Sequence, residues 1–198
     1  MPSNFDERIV FLNKELVKQI RSSYRLEEQD KKGKTSIELT LENDMFIAFE
    51  KMETHKISYL KNQCAADYIL LQLKEDNWYV HIFELKRTVK DKSWKHIKKQ
   101  FSGSLQNIIA LAGFLNIQIV FEKVFLYTAY RNDTINNTSD PVKQRFENML
   151  ASSGKAIDSN NTDWNNKTIF LDFESNTSFV HKKIPLDLST GSATYSIA

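Results

Sequence analysis

Apolar positions recur along this chain in two rhythms, one helical and one extended. Near the start, Phe5, Ile9, Leu12, Leu16 and Ile20 follow spacings of three and four. That predicts a helix over residues 4–24, capped by Ser3 or Asn4, with Asp6 and Glu7 in its first turn. Residues 25–34 are charged, contain Gly33 and read as a loop. Alternation then predicts strands at 35–41 and 45–49, joined by a turn at Glu42-Asn43-Asp44. A polar stretch leads to Ile57-Ser58-Tyr59-Leu60, a short strand or turn.

Two apolar runs follow, separated by the polar turn KEDN at 74–77. In the first, Asp67, Ile69, Leu71 and Leu73 share one face. In the second, Val80, Ile82, Glu84 and Lys86 share one face, and His81, Phe83 and Leu85 the other. Both faces stay apolar until the ends, as in an interior strand covered on both sides. The short turn predicts an antiparallel hairpin, which brings Asp67 near Glu84.

After a basic connection at 88–93, Ser93 is placed to cap a helix starting at Trp94. Trp94, Ile97, Phe101, Leu105, Ile108 and Ala112 form its stripe. Gly103 lies inside it, where it can permit close packing, and Gly113 is expected to end or bend it near 114–115. Strands are expected at 117–121 and 123–130, the first pairing parallel to the strand of Glu84. Beyond them the pattern predicts a loop at 131–141, a short helix at 142–150 and a mobile segment at 151–166, with Trp164 as an anchor. A hairpin of 168–173 with 178–184 follows, and a frayed end from Ser189. The sum is an α/β domain: a mixed central sheet flanked by helices, with an N-terminal helix and a C-terminal β hairpin appendage. Residues 1–135 form its core and 136–198 an extension packed on the same domain.

At 198 residues, with 41% hydrophobic and 26% charged positions, the chain suits one globular domain. The net charge of +2 means that a nucleic-acid partner must be held by local patches. The single cysteine, Cys64, excludes an internal disulfide. No apolar stretch has transmembrane length and no signal peptide is evident, so a cytoplasmic protein without a membrane partner is expected. No phosphate-cradling glycine loop or zinc-type Cys/His spacing occurs.

The chemistry gathers at the hairpin. Asp67 and Glu84, with the main-chain carbonyl of Leu85, make a hard oxygen set suited to Mg2+, with Mn2+ possible. Lys86, two residues on and on the same face, can orient or help deprotonate a metal-bound water or offset phosphate charge. Asp67, a spacer with a turn, then Glu84-Leu85-Lys86 resembles the catalytic signature of the PD-(D/E)xK nuclease superfamily, whose members include restriction endonucleases and Holliday junction resolvases. Ala66 stands where that signature has proline.

The resemblance covers roughly residues 37–130 and implies a restriction-endonuclease-like core. It gives Asp67 and Glu84 the role of metal ligands and Lys86 that of assisting the attacking water. It also implies an active-site glutamine, matched loosely by Gln100, and backbone contacts from Lys95, Lys98 and Lys99. Glu15 is the candidate for a further acid on an N-terminal helix. The implied function is metal-dependent hydrolysis of nucleic-acid phosphodiesters, with DNA favoured over RNA and a homodimer expected where both strands are cut. The alternatives are a catalytically silent DNA- or protein-binding subunit on the same fold, in a defence, repair or phage complex, and a small α/β adaptor protein.

Overall fold

The computed structural model describes residues 5–30, 33–42, 44–50, 52, 54, 57, 59–135, 163–172 and 177–197. The helix expected at 142–150 and most of the segment at 151–166 lie outside the described residues.

The hairpin forms as the pattern demands. β5 (Tyr68–Lys74) and β6 (Asn77–Val89) pair antiparallel from Lys74↔Asn77 to Tyr68↔Phe83. Their loop is only Glu75 and Asp76, both at positive φ (48° and 59°). This mirror-image turn matches the right-handed twist of the strands. β6 runs past Lys86 to Val89, through part of the expected basic connection. There α2 (Asp91–Leu115) begins. Ser93 is not its first cap: its Oγ accepts the Lys90 N–H at 2.6 Å from within the first turn. The helix ends at Leu115, where the sequence expects its end, with Asn116 in the left-handed conformation as the capping residue and Gly113 in the last turn.

The helix crosses back, and β7 (Val124–Asp133) pairs parallel to β6. The parallel partner is therefore not 117–121. Ile117, Ile119 and Phe121 pack on the core without joining a ladder, and a 3-10 turn at Phe121–Lys123 leads into β7.

The larger departure is at the start. The helix over 4–24 shrinks to α1 (Phe5–Ile9), followed by β1 (Val17–Ile20) and β2 (Ser23–Asp30). The Asn13 side chain accepts the Glu15 N–H at 2.9 Å and turns the chain into β1, which pairs antiparallel with β4 (Met45–Glu50). Pairing with neighbours here outweighs a helical spacing that the strand also tolerates. The charged stretch read as a loop is mostly β2, which pairs antiparallel with β3 (Gly33–Leu41). Its alternation puts Leu26 into the core and Glu28 on the same face.

The far end of the chain is not frayed. β8 (Thr168–Phe170) and β9 (Ser178–Pro185) form the expected hairpin, but β9 lies beside β7 inside the sheet rather than as an appendage. Asp187 accepts the N–H groups of Ser189 (2.9 Å) and Thr190 (2.7 Å), and β10 (Ser192–Ile197) then pairs parallel with β3.

Together these make an α/β architecture of two sheets and two helices among the described residues. The seven-stranded sheet has the order β1-β4-β5-β6-β7-β9-β8, and the three-stranded sheet β10-β3-β2. Alternation divides the core. Ile69, Leu71, Val80 and Ile82 pack with Trp94, Ile97, Phe101 and Leu105 of α2. Leu70, Phe83 and Leu85 pack with Leu26, Ile37 and Leu39 of the smaller sheet. Trp164 is buried against Trp94, edge to face at 4.9 Å, and its Nε1 donates to Asp133 at 2.8 Å. Among the described residues no helix is long and apolar enough to cross a membrane.

His81 links three neighbouring strands of the larger sheet, with Nε2 2.8 Å from Gln72 Oε1 on β5 and Nδ1 3.0 Å from Tyr127 Oη on β7. Burial, helped by the Lys182 charge, pushes its pKa down to about 3. It is neutral in the fold and ionises near 6.5 once unfolded, so its contribution is complete above pH 6.5 and is lost as pH falls towards 3. Urea midpoints should drop through that window, by up to about 1.4 kcal/mol per pH unit for this imidazole. His81→Gln should flatten the slope; an unchanged slope would remove His81 as its source.

Candidate active site

The β5–β6 register, extended by one step beyond Tyr68↔Phe83, sets Asp67 opposite Glu84. Asp67 completes the ladder with its side chain: Oδ2 accepts the Leu85 N–H at 2.7 Å. The Leu85 side chain faces the smaller sheet, so only its backbone is at the site.

The segment leading to Asp67 is held by α2 at three places. Gln100 Nε2 donates to the Ala65 carbonyl at 3.1 Å. Ser104 Oγ accepts the Ala66 N–H at 2.7 Å. Gly103 lets the backbones meet: a Cβ there would stand 1.9 Å from the Cys64 carbonyl oxygen. The close packing at Gly103 is as the sequence expects; its partner, and the role of Ser104, were not legible in the helix pattern, because both depend on which segment crosses the helix.

Glu84 is fully buried, and neither of its oxygens receives a hydrogen bond of ordinary geometry. The Lys86 ammonium lies against Oε1. Burial and then the Asp67 charge push the Glu84 pKa well above the usual carboxylate range. Lys86 opposes this without cancelling it, and Glu28 adds to it. For Lys86, burial pulls the ammonium down, but Glu84, Asp67 and Glu28 together outweigh it and hold the pKa at about 12. The lysine is therefore a cation and a donor in this arrangement.

Glu28, which sequence reasoning placed in a loop, reaches Lys86 Nζ at 3.9 Å from β2. Tyr68 fixes that approach by accepting the Glu27 N–H at 3.1 Å and donating to the Glu27 carbonyl at 2.8 Å. The available signal was the alternation of Tyr24, Leu26 and Glu28. Glu15, the expected N-terminal acid, is exposed in the turn before β1, with β4 and β5 between β1 and β6.

The basic half of α2 divides. Lys95 and Lys99 are exposed, whereas Lys98 pairs with Asp163 at 2.6 Å and lies 5.8 Å over the Trp94 ring. Gln100 is buried, with Oε1 lacking a donor. The structure thus brings Asp67, Glu84, Lys86 and the Leu85 backbone together, with Gln100 fixing the irregular segment before Asp67.

No family model, curated protein or solved structure matches this chain.

Chemically, the site offers two adjacent carboxylates, one of them fully buried, and the protonated amine that lies against it. Among the described residues no three His, Cys, Asp or Glu side chains are grouped to hold a metal ion. A closed protein cage of the zinc type is therefore not what this arrangement provides. A fully buried carboxylate beside a half-buried one suits a different class of cation, one held by one or two carboxylates.

Proposed function

We propose that this chain hydrolyses nucleic-acid phosphodiester bonds with Mg2+ or Mn2+, as a DNA endonuclease on a restriction-endonuclease-like core. The observation that carries the reading is the buried Glu84 carboxylate. A fully buried acid held beside a second acid, with one ammonium that offsets their charge without cancelling it, favours a further positive charge. Mg2+ fits because it is commonly held by one or two carboxylates plus substrate phosphates. When bound, it would activate water and neutralise charge on the phosphate.

Asp67, Glu84 and the Leu85 carbonyl are the groups that would hold it. Lys86, protonated, donates to a phosphate oxygen or orients the attacking water. Gln100 fixes the segment carrying Asp67. Lys95 and Lys99 meet the backbone, while Lys98 shares its charge with Asp163. The parallel β6–β7 pair, linked across α2, supports the fold-level part of the reading. A homodimer would supply two sites for the two strands.

One observation favours a second reading, a binding subunit without cleavage: Lys86 itself already answers the Glu84 charge. The experiment that separates the two is cleavage of plasmid, linear duplex, single-stranded DNA and RNA in Mg2+, Mn2+ or EDTA. We expect metal-dependent cutting of DNA, reduced about 10²–10⁴-fold in K86A and at least as much in E84A. Tight, metal-independent binding with no cutting, unchanged in both variants, would assign the chain to the binding role.

A further inference from the structure

The smaller sheet does not cover the whole face it packs on. It hides Phe83 and Leu85, and its strand β10 ends at Ile197. Beyond it, Tyr79 of β6 and Phe125 of β7 are only half-buried. The β6–β7 register sets His81 beside Phe125 and, extended by one step, Tyr79 beside Lys123. The rings stand parallel: Tyr79 and Phe125 at 6.4 Å and 9°, His81 and Phe125 at 5.5 Å and 15°.

Two ammonium groups sit on this aromatic surface. Lys123 Nζ lies 5.3 Å over the Tyr79 ring, and Lys182 Nζ lies 5.1 Å over Phe125 and 5.6 Å over Tyr127. A ring face attracts a cation but carries no net charge, so neither ammonium is neutralised by its ring. Among the described residues neither lysine forms an ion pair. The Lys182 charge also helps to keep His81 neutral.

Tyr79, His81, Phe125, Tyr127 and Lys182 line a cleft of about 140 Å³, bounded on one side by the end of β10. A site that engulfs a drug-sized molecule holds roughly 300–1,000 Å³. This cleft takes one flat ring of a larger ligand. Its floor is held in place by a chain of hydrogen bonds. Asp44 Oδ2 accepts the Gln72 amide N–H at 2.8 Å, which turns Gln72 Oε1 towards His81. His81 Nε2 therefore carries the proton, and Nδ1 accepts from the Tyr127 hydroxyl. With that imidazole neutral, the charge among the lining side chains is that of Lys182.

Parallel aromatic walls suit a ring, and the ammonium groups suit an anion attached to it. An unpaired nucleotide is both, whereas the bases of a duplex have no free face to stack. We infer that Tyr79, Phe125, Lys123 and Lys182 form a platform for a single-stranded segment of nucleic acid, with one base at the cleft and its phosphates on the two lysines. A lysine stem is flexible enough to leave a ring face for the phosphate of the base that replaces it. The choice of polymer rests on the reading of the Glu84 site as a phosphodiester site. The platform is separate from that site: Tyr79 precedes Glu84 on β6 by about 17 Å of strand and points to the other face. It retains a strand rather than presenting the bond to be cut.

The test is equilibrium binding in EDTA, where cleavage plays no part, of a short fluorescent oligothymidylate and of a duplex of the same length. Y79A should weaken single-strand binding about 5–100-fold, and Y79F should bind like wild type. K182Q, at an exposed position that leaves the fold intact, should lower the log–log salt slope for the single strand by about 0.7. Duplex binding should be unchanged in all three. K14Q, exposed in the turn before the edge strand β1, should change neither. Where single strands are cut, Y79A should raise KM with kcat unchanged.

Single-strand binding that Y79A and K182Q both leave unchanged would overturn the platform, with or without cutting. Single strand and duplex weakened alike by Y79A would overturn the stacking. Thymidine monophosphate binding as tightly as the oligothymidylate would give the cleft to a free nucleotide and overturn the polymer. Tyr79-dependent single-strand binding without cutting in Mg2+ or Mn2+ would keep the platform and remove the hydrolase reading.

Discussion

Glu84→Gln melts at a higher temperature than the wild-type chain in EDTA at pH 8, and the difference grows as the solution is made more alkaline. The wild-type carboxyl is buried beside Asp67, so the fold favours its protonated form, whereas the unfolded chain ionises it near the ordinary value of 4.5. The fold therefore binds the extra proton. The stability linked to Glu84 is complete below pH 4.5 and is lost as pH rises through the elevated folded value. A glutamine carries no such loss.

The opposing term is Lys86, which gives up a partner. It wins less, because its side chain is 23% exposed while that of Glu84 is 0% exposed, and Asp67 and Glu28 remain beside it. The net gain should be about 1–3 kcal/mol, or roughly 2–12 °C for a domain of this size. Mn2+ or Mg2+ should reverse the order by stabilising wild type alone, by about 2.7 kcal/mol at a hundredfold excess over Kd. Calorimetry from pH 5 to 9, with and without metal, decides it. A variant that melts lower at every pH would make Glu84–Lys86 a structural ion pair.

Gly103→Ala should do more damage than any other small change in α2. In an open helix this replacement gains about 1 kcal/mol. Here the new methyl meets Cys64 backbone, at 1.9 Å from the carbonyl oxygen and 3.0 Å from its carbon, and backbone does not yield like a flexible side chain. We expect a net loss of about 2–3 kcal/mol. Cleavage should fall further than stability, because residues 64–66 carry Asp67. Gly113→Ala is the internal control: nothing lies within 4 Å of its added methyl, and it should stabilise by about 0.5–1 kcal/mol. Denaturation of the two variants side by side, showing shifts of the same sign, would refute the close-approach account.

What could be read from the chain beforehand was whatever depends on local rhythm. The β5–β6 hairpin follows from two apolar runs and a turn too short for anything else, and its register carries Asp67 to Glu84. The apolar stripe of α2 is long enough to be unambiguous. Residues 5–20 were not, because apolar spacings of three and four also serve a short helix, a turn and an edge strand once β4 is there to pair with. β2 hid because, among its described side chains, only Leu26 is fully buried. Glu28 acquires meaning only when the smaller sheet is laid on the larger, and no local pattern encodes that. β10 is polar and gains its place from β3.

The pairing of β10 with β3 also bears on how the molecule comes together in time. It joins segments separated by roughly 150 residues, whereas β4 to β7 and α2 are consecutive. Closing so long a loop costs entropy before its contacts return anything, and topologies of this kind fold slowly. The helix-side half can condense while the ribosome is still adding residues, with Asp67 and Glu84 already adjacent. The layer bearing Glu28 is completed only by the last strand, and until then β3 presents an open edge to neighbouring nascent chains.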